Sequence, residues 1–335
     1  MAARALFHVG KGQVAAREVP LAAPGTGEVL VRSLYSGISA GTEAMIFAGD
    51  FPRGEALDAA LPELAGRFEY PFRYGYAVVG RVIARGAGVP SEWDDALVFV
   101  FHPHQDRIVV PVASCQRVPA DVAPQAALYF PQVETALTLV LDAAPLIGER
   151  AIVFGLGVVG LFVARLLSDF PLERLVAAEP LEWRRRLARE WGIPGTFDPT
   201  DAAAWCEHGA GLDADFALEL SGNPAALAQA IEATGFDGRL VVGSWYGTRA
   251  AALDLGSRFH RQRQRIVSSQ VSTLAPALRG RWDRTRRTKT AWRTLARLAP
   301  ERLPARFFPL EACQEAFETV RARPEGVLQL GFRYD

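Results

Sequence analysis

Two patterns of hydrophobic spacing divide the chain. Through about residue 120, short runs of Val, Ile, Leu and aromatic residues (RALFHV, EVLVRSLYSG, YAVVGRVIARG, ALVFVF and RIVVPV) alternate with Gly, Pro and charged residues. Runs of this length bounded by turn residues predict β-strands, so this part reads as an all-β half. The interval from Met45 to Tyr74 breaks the rhythm with a long mixture of turn residues, acids and aromatics. A stretch that long between strands is expected to be a functional loop, or to hold a short helix within it, and it is the candidate for substrate selection.

From about Pro124 the spacing changes. AALYFPQVETALTLVLDAA, VVGLFVARLLSDF, LEWRRRLAREWG and PAALAQAIEATG have helical apolar spacing, while AIVFGLG, RLVAAEP, FALELSG and GRLVVGSWYG are short apolar runs between them. Strands alternating with helices of this size predict βαβ units and a parallel sheet. The stretch from Leu278 to Leu298 reads as a cationic helix, and the chain closes on helix, turn and strand. At roughly 100 to 200 residues per domain, 335 residues predict two domains.

Half the residues are hydrophobic and 22% are charged, which excludes disorder as the main theme. Lys plus Arg equals Asp plus Glu at 37 each, so no overall field draws nucleic acid or an anionic membrane, and neither is expected as a partner. Lys11 and Lys289 are the only lysines, which leaves little for Schiff-base chemistry. Cys115, Cys206 and Cys313 are scattered and form no C-x-x-C pair, supporting neither a disulfide framework nor a cysteine-rich zinc site. With no signal-type N-terminus and no apolar run long enough for a bilayer, a cytoplasmic location is expected.

The strongest chemical signal is Gly155-Leu156-Gly157-Val158-Val159-Gly160, which ends an apolar strand and opens a helix. In a G-x-G-x-x-G turn, Gly155 permits the tight bend, Gly157 lets the backbone approach a pyrophosphate, and Gly160 allows close helix-to-strand packing. Glu179 ends the next strand, where a carboxylate accepts from ribose hydroxyls and repels a 2′-phosphate. The pattern points to NAD or NADP, with NAD favoured. Arg184, Arg185 and Arg186 read as the solvated face of a helix, although an arginine reaching back would hold a 2′-phosphate.

Nearly the whole chain resembles the medium-chain dehydrogenase/reductase superfamily. The likeness rests on the β-rich first half, GLGVVG with its acid, SGNPAALAQAIE followed by DGRLVVG, and the closing FPLEACQEAFETV and GVLQL. It implies an α/β fold with a GroES-like β-rich catalytic domain from residues 1–123 and 272–335. A Rossmann domain, a doubly wound parallel sheet over 124–271, lies between them, with the active site in the cleft. It extends the cofactor contacts to Leu156, Val158, Val159, Thr135, Ser221 and Gly243. The segment FHRQRQRIVSSQVS matches an edge strand used for dimer pairing, so a homodimer is expected.

The departures from zinc members are equally informative. Where they place a cysteine, this chain has Ser39 and Ala40; where they place G-H-E, it has Gly75-Tyr76-Ala77; the third ligand position falls near Pro131. No metal is therefore expected. His102-Pro103-His104 is a weak alternative metal pair and a secondary proton-shuttle candidate. Hydride transfer without a Lewis acid needs a proton donor. Tyr76 takes the place of the histidine ligand, as proton donor or as an aromatic filling the space. Thr42 matches the family's proton-relay hydroxyl, with Ser39 beside it, and Glu43 matches a structural acid. Glu134, a carboxylate in an apolar helix, is expected either to serve as acid or base or to brace that helix.

These features predict a zinc-independent NAD(P)-dependent dehydrogenase/reductase that interconverts an alcohol and a ketone on a bulky biosynthetic intermediate, its partner being this small-molecule substrate. The SGISAGTE segment resembles that of bacteriochlorophyllide hydroxyethyl dehydrogenases. Two alternatives stay open: reduction of an activated C=C bond, and a dinucleotide-binding protein without catalysis. The arginine-rich stretch from Arg279 to Arg297 reads as a solvated helix packing Trp282 and Trp292 inward, with RNA, an acidic substrate or a partner protein as the rival ligands.

Overall fold

Antiparallel pairing organises the first part of the computed structural model, which describes residues 2–58 and 64–334. Strands β1 (Ala2–Gly10) and β2 (Gln13–Pro20) form a hairpin. They are followed by β3 (Glu28–Ile38), helix α1 (Thr42–Ala48), β4 (Val78–Arg85), β5 (Leu97–Val100), β6 (Arg107–Pro111), β7 (Cys115–Arg117) and a short α2 (Pro124–Ala127). Alternating residues point to one interior, where Val29, Val31, Val78, Val98, Val100 and Ile108 form a buried cluster. β2 was not expected, because QVAAREVP shows little apolar alternation and only Val14 of it is buried.

The interval from Met45 to Tyr74 is not an open loop, for it builds an aromatic core of its own. Phe51, Phe68, Phe72 and Tyr74 are buried with Ile46, and the Phe51 and Phe68 rings stack at 4.8 Å. Residues 59–63 of this interval lie outside the described residues.

The central part runs α3 (Phe130–Ala143), β8 (Arg150–Phe154), α4 (Val158–Leu167), β9 (Arg174–Ala178), α5 (Glu182–Glu190), β10 (Thr196–Phe197), α6 (Ala202–Ala204), β11 (Ala214–Glu219), α7 (Pro224–Ala233), β12 (Thr234–Val242), α8 (Arg258–Arg261), β13 (Arg265–Ser268) and α9 (Arg284–Leu298). Its six strands are parallel in the order β10-β9-β8-β11-β12-β13. The order reverses beside β8, which makes the carboxyl end of β8 the switch point where doubly wound sheets bind ligands. The edge strand β13 is exposed along its length.

The chain then returns through β14 (Ala305–Phe308), α10 (Cys313–Ala322) and β15 (Gln329–Arg333), and β15 pairs antiparallel with β3. Phe308, Phe317 and Phe332 from this return pack with Leu6, Ile38 and Phe47. The two ends of the sequence thus share one core. Two compact units result, one of residues 1–131 with 292–335 and one of 132–291, dividing inside α3 and α9.

The two tryptophans of the cationic stretch part company. Trp292 is buried, stacks on Phe130 at 4.4 Å and donates to Gln116 at 3.0 Å. Trp282 is not packed inward: it is half-buried and carries the Arg286 guanidinium 4.3 Å over its ring.

Candidate functional site

In the second unit the glycine turn has the geometry its spacing predicts. Gly155 sits at φ +90°, and a side chain there would meet the Ser221 backbone at 2.6 Å. Gly160 presses α4 onto the turn, since a Cβ would lie 1.9 Å from the Gly155 carbonyl oxygen. At Gly157, which caps α4, a Cβ would meet nothing within 4 Å. The N–H groups of Val158, Val159 and Gly160 have no acceptor among the described residues, whereas Leu161 N–H closes the first helical bond to Gly157. Three unpaired donors at a helix N-terminus beside open space fit a pyrophosphate.

Glu179 is buried, and its carboxylate accepts from Leu156 N–H at 2.8 Å and Leu181 N–H at 3.1 Å. The acid thereby fixes the glycine turn, and each oxygen retains a lone pair for a ribose hydroxyl. The expectation of a solvated arginine face holds only for Arg186. Arg184 lies 3.7 Å from the Glu179 carboxylate, and Arg185 donates to the Glu179 carbonyl at 2.6 Å; both side chains are mostly covered, because the turn after β9 offers them acceptors.

Ser221 and Gly243 are committed to the frame of this site. Ser221 donates its N–H at 2.8 Å and its hydroxyl to the Glu219 carboxylate, and Gly243 N–H donates to the Glu219 carbonyl at 3.0 Å. Glu219 is buried and also accepts from the Tyr246 hydroxyl at 2.5 Å. Burial and this carboxylate raise the tyrosine's pKa. Neither Glu219 nor Tyr246 was expected from sequence, although an acid ending the apolar run FALELSG was the available signal. Thr135 and Glu134 lie on α3. Burial pushes the Glu134 carboxyl above its usual range, opposed by Arg287 at 3.5 Å and by Thr288, which donates at 3.1 Å. These contacts tie α3 to α9, the bracing alternative.

The first unit brings together Tyr76, Ser39 and Thr42. The Tyr76 phenol hydrogen-bonds with Ser39 and Thr42, and burial lifts its pKa to about 12, with Glu43 and Asp58 adding to the rise. Its ring also packs against the aromatic cluster, edge-on to Tyr74 at 6.2 Å. Behind it runs a buried chain of polar groups. Ser39 N–H donates to Glu43 at 2.8 Å, His104 Nε2 meets the other Glu43 oxygen at 2.9 Å, and Ser36 links His104 Nδ1 at 2.7 Å to the Tyr334 hydroxyl at 2.8 Å. Ser36 and Tyr334 were not singled out in sequence, since 298 residues separate them. His102 stands outside the chain, with Nδ1 donating to the Pro103 carbonyl at 2.8 Å; burial lowers its pKa to about 4.

Ser39, Tyr76 and Pro131, at the positions of zinc ligands, offer no thiolate, imidazole or carboxylate, so this donor set does not fit a catalytic zinc. Among the described residues no three His, Cys, Asp or Glu side chains are grouped to hold a metal, and no helix is long and apolar enough to cross a membrane.

Comparison with known proteins agrees with this architecture. The zinc-binding dehydrogenase family model matches residues 158–286. D-guloside 3-dehydrogenase of Escherichia coli (strain K12) is 24% identical over 230 residues, covering 67% of this chain and 66% of the relative. L-threonine 3-dehydrogenase of Thermococcus kodakarensis is 27% identical over 262 residues, covering 67% and 69%. These matches span about two thirds of the length of the curated relatives. A crystal structure of a short chain alcohol dehydrogenase from Escherichia coli CFT073 with NADH superposes with a TM-score of 0.77 at 16% identity, over 99% of each chain.

Proposed function

We infer that this chain is a medium-chain dehydrogenase/reductase, a reading supported by its two-unit fold and its match to the zinc-binding dehydrogenase family over residues 158–286, and that it is a nicotinamide-dependent oxidoreductase that interconverts an alcohol and a ketone without zinc. The observation that carries this reading is the glycine turn: three unpaired N–H donors of α4 beside a Gly157 with open space where a side chain would be. The relatives that are dehydrogenases, and the similar fold that binds NADH, support it.

A bound nicotinamide supplies or accepts the hydride. The remaining work falls to the chain's own residues. The N-terminus of α4 holds the pyrophosphate, Glu179 accepts from the adenosine ribose, and NAD is preferred over NADP. Tyr76 delivers the proton to the carbonyl oxygen in reduction, because a phenol with a pKa near 12 stays protonated at neutral pH. Ser39 and Thr42 hold the phenol in place, and Glu43 with His104 fixes the Ser39 backbone. The segment from Met45 to Tyr74, anchored by its buried aromatic cluster, selects a bulky biosynthetic intermediate. Product analysis with a deuterated cofactor tests the reaction: label on a carbinol carbon supports it, and label on the β-carbon of an enone refutes it.

A homodimer belongs to the same reading. β13 exposes its whole length, including Ile266 and Val267, at the edge of the parallel sheet, where an unpaired strand accepts another copy. Light scattering showing a monomer at micromolar concentration would exclude it.

A further inference from the structure

The dinucleotide reading leaves the arginine-rich stretch without a role. Between Leu274 and Arg287 the second unit encloses an open cavity of about 410 Å³, walled by Arg279, Arg284 and Arg287 with Trp282, Leu274 and Asp283. The segment entering it follows β13, so the cavity lies beyond the carboxyl end of a parallel strand, the side of such sheets on which ligands bind. Arg287 is 4% exposed and donates to the Val271 carbonyl and to Thr138 at 3.3 Å, on the same helix as Thr135. Its Nε has no hydrogen-bond partner, although Glu134 stands 3.5 Å away.

The charges do not balance inside the cavity. Glu134 answers Arg287, and Asp283 is turned to the Arg286 N–H at 2.6 Å as the cap of α9. Among the described residues the Arg279 side chain donates to the Leu274 carbonyl at 3.4 Å and makes no ion pair, and the Arg284 side chain, whose charge acts at longer range on Glu134, makes no hydrogen bond or ion pair within 4 Å. Two guanidinium groups therefore face a concave wall with most of their donors unused. Guanidinium forks match carboxylate and phosphate oxygens in pairs, and a concave wall concentrates their field. Trp282 and Leu274 add an apolar surface beside them.

We propose that this cavity binds the acidic group of the substrate, a carboxylate or phosphate attached to a flat, apolar body, through Arg279 and Arg284 with Arg287 beneath them. The proposal rests on the oxidoreductase reading for calling the ligand a substrate, and on the cavity alone for its charge.

Calorimetric titration of the full chain with 2-naphthoate and with its neutral analogue 2-naphthamide tests it, alongside NADH. The expected result is naphthoate binding at least about tenfold tighter than naphthamide, a preference that shrinks from about 0.05 M to about 0.5 M NaCl. The exposed double variant Arg279→Gln/Arg284→Gln should lose the preference and keep its NADH affinity. Competition by inorganic phosphate would show that any oxyanion suffices, and lack of competition would assign the site to carboxylates. Equal binding of the two probes, no binding of either, a preference kept by the variant, or displacement of naphthoate by NADH would each overturn the proposal. Naphthoate binding lost in the variant, with no NADH binding to either protein, would leave the anion cavity standing and remove the oxidoreductase reading.

Discussion

Replacing Gly157 by alanine separates cofactor binding from folding. The backbone there, φ −67° and ψ −175°, suits any residue, and the new methyl meets no atom within 4 Å. Alanine is a poorer helix cap than glycine by roughly 0.5–1 kcal/mol, but it restricts the unfolded chain by a similar amount, so the stability change is expected to stay within about 0.5 kcal/mol. In a G-x-G-x-x-G turn, however, the second glycine is where the pyrophosphate approaches the backbone, so a methyl at Gly157 is expected to hold the phosphate off the unpaired N–H groups of Val158, Val159 and Gly160. Holding a pyrophosphate oxygen off even one charge-assisted hydrogen bond removes about 1.5–3 kcal/mol, which weakens NADH binding by about tenfold to a hundredfold. Gly160→Ala makes the contrasting control. Its methyl would lie 1.9 Å from the Gly155 oxygen, so the helix must shift, at about 1–3 kcal/mol of stability. Calorimetry with NADH and thermal denaturation of both variants distinguish the two effects. An intact Gly157→Ala protein that binds NADH as tightly as the parent refutes the placement of the pyrophosphate.

Three further outcomes follow from the same geometry. Tyr76→Phe should lower kcat by about 10²–10⁴ with little change in Tm, and the parent should show no rate loss from phenol ionisation below about pH 11; full kcat in the variant removes Tyr76 as the proton donor. Glu179→Ala should narrow the preference for NADH over NADPH and loosen the turn through the lost Leu156 contact, and an unchanged ratio of affinities contradicts its role. His8 is buried between Phe72 and Phe317, and burial, with His104 adding to it, lowers its pKa from 6.5 to about 3. The unfolded chain therefore binds a proton below pH 6.5 that the folded chain refuses. Stability should fall by about 1.4 kcal/mol per pH unit, or about 2 kcal/mol at pH 5, and His8→Phe should flatten that slope in denaturant titrations.

The parallel-sheet unit was legible because its strands and helices carry period and length together, and because the glycine turn constrains three positions at once. Glu179 was equally readable, as an acid at the end of the next strand. The buried chain from Glu43 to Tyr334 was not: it joins residues from β3, α1, the loop before β6 and the position just after the last strand, and no local spacing marks such a contact. Zinc-ligand positions could be compared one by one, yet the tie between Tyr76 and Ser39 emerges only once β3 and the turn before β4 are folded. The solvated-face expectation failed at Arg184 and Arg185 because nearby backbone carbonyls and carboxylates offer them partners that hydropathy does not register. Trp282 and Trp292 have the same character in sequence; the Phe130 ring and the Gln116 amide decide which of them is buried.

The most direct test of the central claim is parallel calorimetric titration of the purified protein, assayed for metal content, with NADH and NADPH. NADH is expected to bind, more tightly than NADPH, to protein that contains no stoichiometric zinc. Failure of both dinucleotides to bind would contradict it and leave the glycine turn as packing alone.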